Sequence, residues 1–167
     1  MDAERLRELQ APLKARYKED PASAIVTLRA RGRVSQADVS CALETGRPGV
    51  AAGLHPAAGG DGLAACSGDM LLEALVACAG VTLAAVATSM GIEIRSATVS
   101  AEGDLDFRGT LGVAKDAPVG FRRIQLGFSI ETDAPAEKLH KLVELTERYC
   151  VVAQTLAKSA IVEIALV

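Results

Sequence analysis

Ala74-Leu75-Val76-Ala77-Cys78-Ala79-Gly80-Val81-Thr82-Leu83-Ala84-Ala85-Val86-Ala87-Thr88-Ser89-Met90 carries no charged residue. It is the longest uncharged apolar run in the chain and decides how the rest must be arranged. A membrane span needs ~20 apolar residues. This run falls short of that and is rich in Ala, Gly, Thr and Ser instead of Leu and Phe. Asp69 and Glu73 precede it, and alternating segments follow it. The reading is therefore a buried core helix from Ser67 or Asp69 to Met90, with Ser67 as N-cap and Gly91 just past its end. A helix apolar on every side must be surrounded by other protein.

Outward from that helix, the pattern changes period. On its N-terminal side, Asp2 to about Tyr17 forms an amphipathic stripe of Leu6, Leu9, Leu13 and Tyr17, closed by Asp20-Pro21. Ala24–Arg33 alternates as a half-buried strand, and a polar turn over Ser35–Asp38 leads to a second strand, Val39–Leu43. A third short strand is expected within Pro48–Gly53, followed by a Gly/Ala/Pro-rich loop to Gly68. On the C-terminal side, Glu93–Asp104 and Ile124–Thr132 alternate, joined by a connection at Gly109–Gly120. Pro135–Tyr149 is an amphipathic helix with Leu139, Leu142, Val143 and Leu145 inward. Cys150–Lys158 is a second helical segment, and Ala160–Leu166 is a closing strand. Strands arrive in hairpin-like groups, so the fold class is α+β with mostly antiparallel sheets wrapped around the long central helix. One sheet of so short a chain hardly encloses that helix. An intertwined homodimer in which two copies enclose their helices together is expected.

Composition narrows the chemistry. Half of the 167 residues are hydrophobic, but only 3% are aromatic and none is Trp, so the core is built from Ala, Val, Leu and Ile. The net charge is −3 and Lys and Arg are scattered, which argues against a nucleic-acid partner. The charged N-terminus has no apolar signal core, so a cytoplasmic location, with no membrane partner, is the expectation. Cys41, Cys66, Cys78 and Cys150 then sit in a reducing compartment, without C-x-x-C spacing and with only His55 and His140 beside them. Neither a zinc site nor any other cofactor is expected.

Two segments together carry a resemblance. Leu71-Leu72-Glu73-Ala74-Leu75-Val76-Ala77-Cys78 resembles the central-helix signature of the OsmC/Ohr superfamily, the osmotically induced and organic-hydroperoxide-resistance proteins. Arg148-Tyr149-Cys150-Val151-Val152-Ala153-Gln154-Thr155-Leu156 resembles the segment bearing that family's second cysteine, 72 positions later. The resemblance covers about Ala24 to Val167. It divides the chain into an N-terminal helical extension, 1–22, and an OsmC-like domain, 23–167. It implies a homodimer that reduces organic hydroperoxides through a thiol pair, with Cys78 attacking the peroxide and Cys150 resolving the product, restored by a dithiol reductant such as a lipoyl group. It also implies an activating Arg from the N-terminal hairpin. Gly32-Arg33 matches that turn best, and Arg31 is the alternative. The family's peroxidases pair this Arg with a Glu ten residues before the first cysteine. Here that position is Gly68, with Asp69 beside it as a shorter carboxylate.

Each of these residues has a plainer reading. A cysteine in an Ala-rich helix is commonly a small hydrophobe. Arg31 and Arg33 also read as solvated strand residues, and Asp69 as a first-turn acid that favours the helix dipole. Cys66 reads as a spectator, Cys41 as core, and His55 as a surface loop residue. Mid-helix burial alone would raise the Cys78 pKa, so a cation is expected to lower it. The competing functions are a thiol peroxidase, a non-catalytic protein binding an apolar small molecule at the dimer interface, and a redox-sensing partner protein.

Overall fold

A computed structural model of the protein describes residues 51–112 and 114–158, the backbone of 32–35 and 40–43, and single positions 2, 4, 8, 11, 19 and 162; the side chain of Arg108 is not among them. The elements are β1 (Gly32–Ser35), β2 (Ser40–Leu43), β3 (Ala51–Gly53), β4 (Ala65–Cys66), α1 (Ser67–Met90), β5 (Ser96–Leu105), α2 (Phe107–Thr110), β6 (Phe121–Glu131), α3 (Ala136–Tyr149) and α4 (Val151–Lys158). Glu4, Glu8, Ala11 and Glu19 are helical and exposed, so helix reaches two positions past the expected end at Tyr17. The part of the first strand before Gly32 and the closing strand expected over Ala160–Leu166 lie outside the described residues.

The expected hairpin forms between β1 and β2, antiparallel, with Ser35 opposite Ser40 and Gly32 opposite Leu43. β3 adds antiparallel to β2, and β4 joins β3 in parallel, with Ala52 opposite Ala65. Thus the Gly53–Gly68 stretch is not all loop. It holds a short 3-10 turn at Pro56–Ala58 and the two-residue β4. β5 and β6 make a second, two-stranded sheet. Their inward positions alternate from Val99 through Ala101 and Gly103 to Leu105 on β5, whereas Ala97 is exposed rather than inward.

Why α1 ends where it does is visible at Gly91. Its φ of 64° is left-handed, which costs glycine nothing. The Gly91 N–H donates to Thr88 C=O at 3.2 Å and the Ile92 N–H to Ala87 C=O at 2.9 Å. These two bonds satisfy carbonyls that the helix end would leave without partners, and they turn Ile92 inward, where it is 7% exposed.

The chain divides into two compact units. One comprises residues 1–19, 74–100 and 126–167, and its core packs Leu83, Val86, Ala87 and Ile92 against Leu142. Leu139 and Leu145 of α3 and Phe128 and Ile130 of β6 close around that core, as the amphipathic pattern of α3 requires. The other unit comprises residues 20–73 and 101–125 and contains the β1–β4 sheet, the 3-10 turn and α2.

The expectation that α1 is enclosed is not met within one chain. Only 22% of its apolar window is buried, and by length and composition it is able to cross a membrane. Leu75, Ala79, Leu83, Val86 and Ala87 face the core, while Ala74, Ala77, Val81 and Ala84 are exposed. A helix of 24 residues is ~36 Å long. The core described above covers one side of it, and Ala74, Ala77, Val81 and Ala84 line up at alternating three- and four-residue steps on the other.

Candidate active site

Cys78 and Cys150 are brought together. Cys78 lies half-buried midway along α1, and Cys150, with no exposed surface, sits between α3 and α4. The junction explains how Cys150 gets there. Its backbone leaves the helical region (φ −72°, ψ 107°), so the chain turns between two helices on this one residue. Its N–H closes the last bond of α3, to Thr146 C=O at 2.9 Å. Its C=O accepts the first bond of α4, from the Gln154 N–H at 2.9 Å. The Gln154 side-chain amide then reaches back to Glu147 C=O at 3.0 Å, tying α4 to the end of α3. Thr146, buried completely beneath, satisfies its hydroxyl by donating to Leu142 C=O at 2.7 Å.

Because Cys150 occupies the N-cap of α4, the first N–H groups of that helix have no helical acceptors. Those of Ala153 and Val152 favour the thiolate of Cys150, and those of Val152 and Val151 favour that of Cys78. Burial is the largest single influence on Cys78 and pushes its pKa up. The Val152 N–H, the Cys150 thiol, the Val151 N–H and the Thr82 hydroxyl outweigh it, leaving Cys78 below its ordinary value. Thr82 is one turn beyond Cys78 on α1, and its hydroxyl also reaches the Cys78 carbonyl at 2.8 Å. Cys150 moves the other way, raised by burial and then by the adjacent Cys78 charge, although the Ala153 and Val152 N–H groups lower it in part. Of the two thiols Cys78 is thus the one that ionises first, with the Cys150 thiol as a donor to it.

The expectation that a cation must activate Cys78 therefore misses a source of positive potential in the structure. The N-terminus of α4 supplies N–H groups and the positive end of a helix dipole. That signal was available in the sequence, since a helix starting at Cys150 leaves its first N–H groups without partners. Of the other expected site residues, Arg31 lies outside the described residues and Arg33 is described by its backbone alone, opposite Ala42. Arg148, two positions before Cys150, lies over the Tyr149 ring at 5.6 Å. Asp69 is exposed in the first turn of α1 and lines a cavity described below. His55 is not a plain surface residue. It is half-buried, accepts the Ala57 N–H at Nδ1 (3.0 Å), and stacks on Phe107 with centroids 4.9 Å apart.

A family model for OsmC-like protein matches residues 59–165. The chain belongs to the OsmC-like protein family. Solved structures with the OsmC fold agree. An OsmC-like protein from Mycoplasma pneumoniae superposes with a TM-score of 0.67 at 16% identity, covering 80% of this chain and 89% of that one. An organic hydroperoxide resistance protein from Elizabethkingia anophelis gives 0.64 at 15% identity, covering 80% and 91%. The organic hydroperoxide resistance protein OhrB of Bacillus subtilis gives 0.54 at 20% identity, covering 79% and 93%. At these identities the likeness establishes the OsmC fold. A sequence comparison with curated proteins finds no match.

Substitution tests the role of the α4 N-terminus in this OsmC-like chain. Val151 is the first residue of α4, a position that accepts proline, and the backbone of Cys150 before it is already in the extended region proline requires. Val151→Pro deletes one N–H donor and leaves the helix standing. A single hydrogen bond contributes ~0.5–1.5 kcal/mol, so alkylation of Cys78 by iodoacetamide at neutral pH should slow roughly threefold to tenfold. The thiolate absorbance step near 240 nm should move to higher pH in the same variant. An unmoved step would mean that these N–H groups do not hold the thiolate.

Proposed function

We propose that this OsmC-like protein is a thiol peroxidase that reduces organic hydroperoxides through Cys78 and Cys150. The single observation that carries the reading is the opposite displacement of two contacting thiols, one favoured as thiolate and the other held as thiol. That asymmetry is what peroxide reduction requires. The Cys78 thiolate attacks the distal peroxide oxygen, so an S–O bond forms as the O–O bond breaks. The departing alkoxide takes a proton, for which the Cys150 S–H is at hand, and leaves as the alcohol. Cys150, now a thiolate, attacks the Cys78 sulfenic acid. An S–S bond forms as the S–O bond breaks, and the hydroxide leaves as water with a proton from solvent. An external dithiol, of which a lipoyl group is one kind, returns both thiols by exchange. Arg31 or Arg33, with Asp69, would supplement the activation. The names of the E. anophelis and B. subtilis structures support organic hydroperoxides as the substrate class.

The sign of the pH dependence follows from Cys78. Its pKa in the folded chain lies below the ordinary thiol value, so turnover rises as pH climbs through that lowered pKa and levels off at lower pH than an ordinary thiol would allow. By linkage the thiolate stabilises the fold above the ordinary value and loses that contribution as pH falls through the lowered one. The direct test of function is consumption of cumene hydroperoxide with dihydrolipoamide as reductant. Catalytic turnover above the dithiol-only rate supports a peroxidase. A rate equal to the dithiol-only background contradicts it, and would favour the reading as a non-catalytic binder of apolar small molecules.

The reading includes a second copy of the chain. Ala74, Ala77, Val81 (73% exposed) and Ala84 form an apolar seam of small side chains that invites close approach of another helix. Tyr149, Val151 and Leu156 add exposed apolar surface on α3 and α4. A symmetric partner presents the same seam, so the surface is its own complement. Light scattering should give twice the 17.3 kDa chain mass, and Val81→Glu should shift the protein toward monomer. A monomeric wild type, or recovery only with detergent, would contradict the dimer.

A further inference from the structure

A second cavity, in the unit comprising residues 20–73 and 101–125, has a composition unlike the rest of the chain. Its volume is about 360 Å³, within the range of sites for small organic molecules. The chain has only three Phe and two His, yet Phe107, Phe121 and His55 all line this cavity. Phe107 and His55 stack at 25° between planes to give a flat wall, and the Ala57 N–H on Nδ1 fixes the imidazole, leaving the proton of its neutral form on Nε2. The Cδ1–Cε1 edge of Phe121 packs against Gly103, where a Cβ would come within 2.5 Å of it, so absence of a side chain on β5 is what lets the ring form a second wall. The Cys66 Sγ and the Phe121 ring are each 3.6 Å from where a Cβ on Gly68 would stand.

Among the described side chains that line this cavity the charge has one sign, that of Asp69 and Asp104, with no Lys or Arg. Neither carboxylate makes an ion pair with a described residue. Aromatic faces beside unpaired carboxylates attract an organic cation, through the ring quadrupole and through charge, and repel an anion. We propose that this cavity binds a small organic cation, a primary ammonium or guanidinium group on a flat apolar body, with its charge at Asp69 and Asp104 and its body between Phe107 and Phe121. Neither Cys78 nor Cys150 lines this cavity.

Cys66 provides the reporter. N-ethylmaleimide alkylation of Cys66 in the full-length protein, followed by peptide mapping, is measured with phenethylammonium chloride or with phenylpropionate as the anionic counterpart. Phenethylammonium should slow Cys66 alkylation saturably, with half-protection in the range ~0.1–10 mM expected of so small a ligand. Phenylpropionate should not. Asp69 and Asp104 are exposed, so Asp69→Asn with Asp104→Asn keeps the fold while weakening protection about tenfold or more. Equal protection by the ammonium and the carboxylate, protection retained in the double variant, or none at the highest ligand concentration would each overturn the proposal.

Discussion

Cys78→Ser should abolish hydroperoxide turnover while leaving the fold intact. Serine is close to cysteine in size, and position 78 is half-buried, so the cost in stability is small. Its hydroxyl, however, does not ionise under the N–H groups of Val151 and Val152, and oxygen cannot traverse the sulfenic acid and disulfide states that the cycle needs. The expected loss is at least ~10³-fold in kcat/KM, to the dithiol-only background, which is ~4 kcal/mol or more of transition-state stabilisation. Cys150→Ser should differ in kind. It should retain one rapid turnover and then stop at a sulfenic acid, which dimedone traps. Residual multiple turnover in Cys78→Ser with an unchanged circular dichroism spectrum would place the chemistry elsewhere.

Leu142→Ala should produce the largest loss of stability among single core truncations. Leu142 has no exposed surface and sits where α3 meets Leu83, Val86 and Ala87 of α1. Removing its three outer carbons leaves a cavity lined by Leu, Val and Ala side chains that are fixed to a helix and close in only partly. The expected cost is ~2–5 kcal/mol, read from urea unfolding with an unchanged slope. The same substitution bears on the thiols. The Leu142 carbonyl holds the Thr146 hydroxyl, and the Thr146 carbonyl holds the N–H of Cys150. A shift of α3 should therefore also slow closure of the Cys78–Cys150 disulfide. A loss below ~1 kcal/mol would mean that α3 packs less firmly than its burial indicates.

The long helix was legible because an uncharged run fills most of it and a glycine closes it. The charge-free run from Ala74 to Met90 has no partner but other apolar groups, and Gly91 supplies the left-handed turn that closes it. α3 was legible for a similar reason, with Leu139, Leu142 and Leu145 spaced to one face. β4 was not. Two residues show no alternation, and the parallel pairing of Ala65 with Ala52 is made by tertiary contact rather than by local pattern. His55 was misread because nothing near it in sequence announces Phe107, fifty-two positions on, as its stacking partner.

The thiol pair itself came from a resemblance at two separated segments, which the family match over residues 59–165 upholds as far as membership goes. Sequence patterning put Cys150 at the start of a helix but not that helix's N-terminus beside Cys78. That placement depends on how α3 packs on α1, a consequence of the core at Leu142. Arg33 and Arg31 stay where the sequence left them, as candidates, since their side chains fall outside the described residues. How α1 is covered was likewise beyond one chain's composition, because Val81 and the Ala residues beside it say only that something apolar belongs there.

The most direct test of the thiol cycle is the state of each cysteine after one equivalent of cumene hydroperoxide, read by thiol labelling and peptide mapping within seconds of mixing. The account predicts a Cys78–Cys150 disulfide in stoichiometric yield, with Cys66 still a free thiol. Both thiols of the pair remaining free while hydroperoxide persists would contradict it, and would leave an OsmC fold in which the two sulfurs meet without reacting.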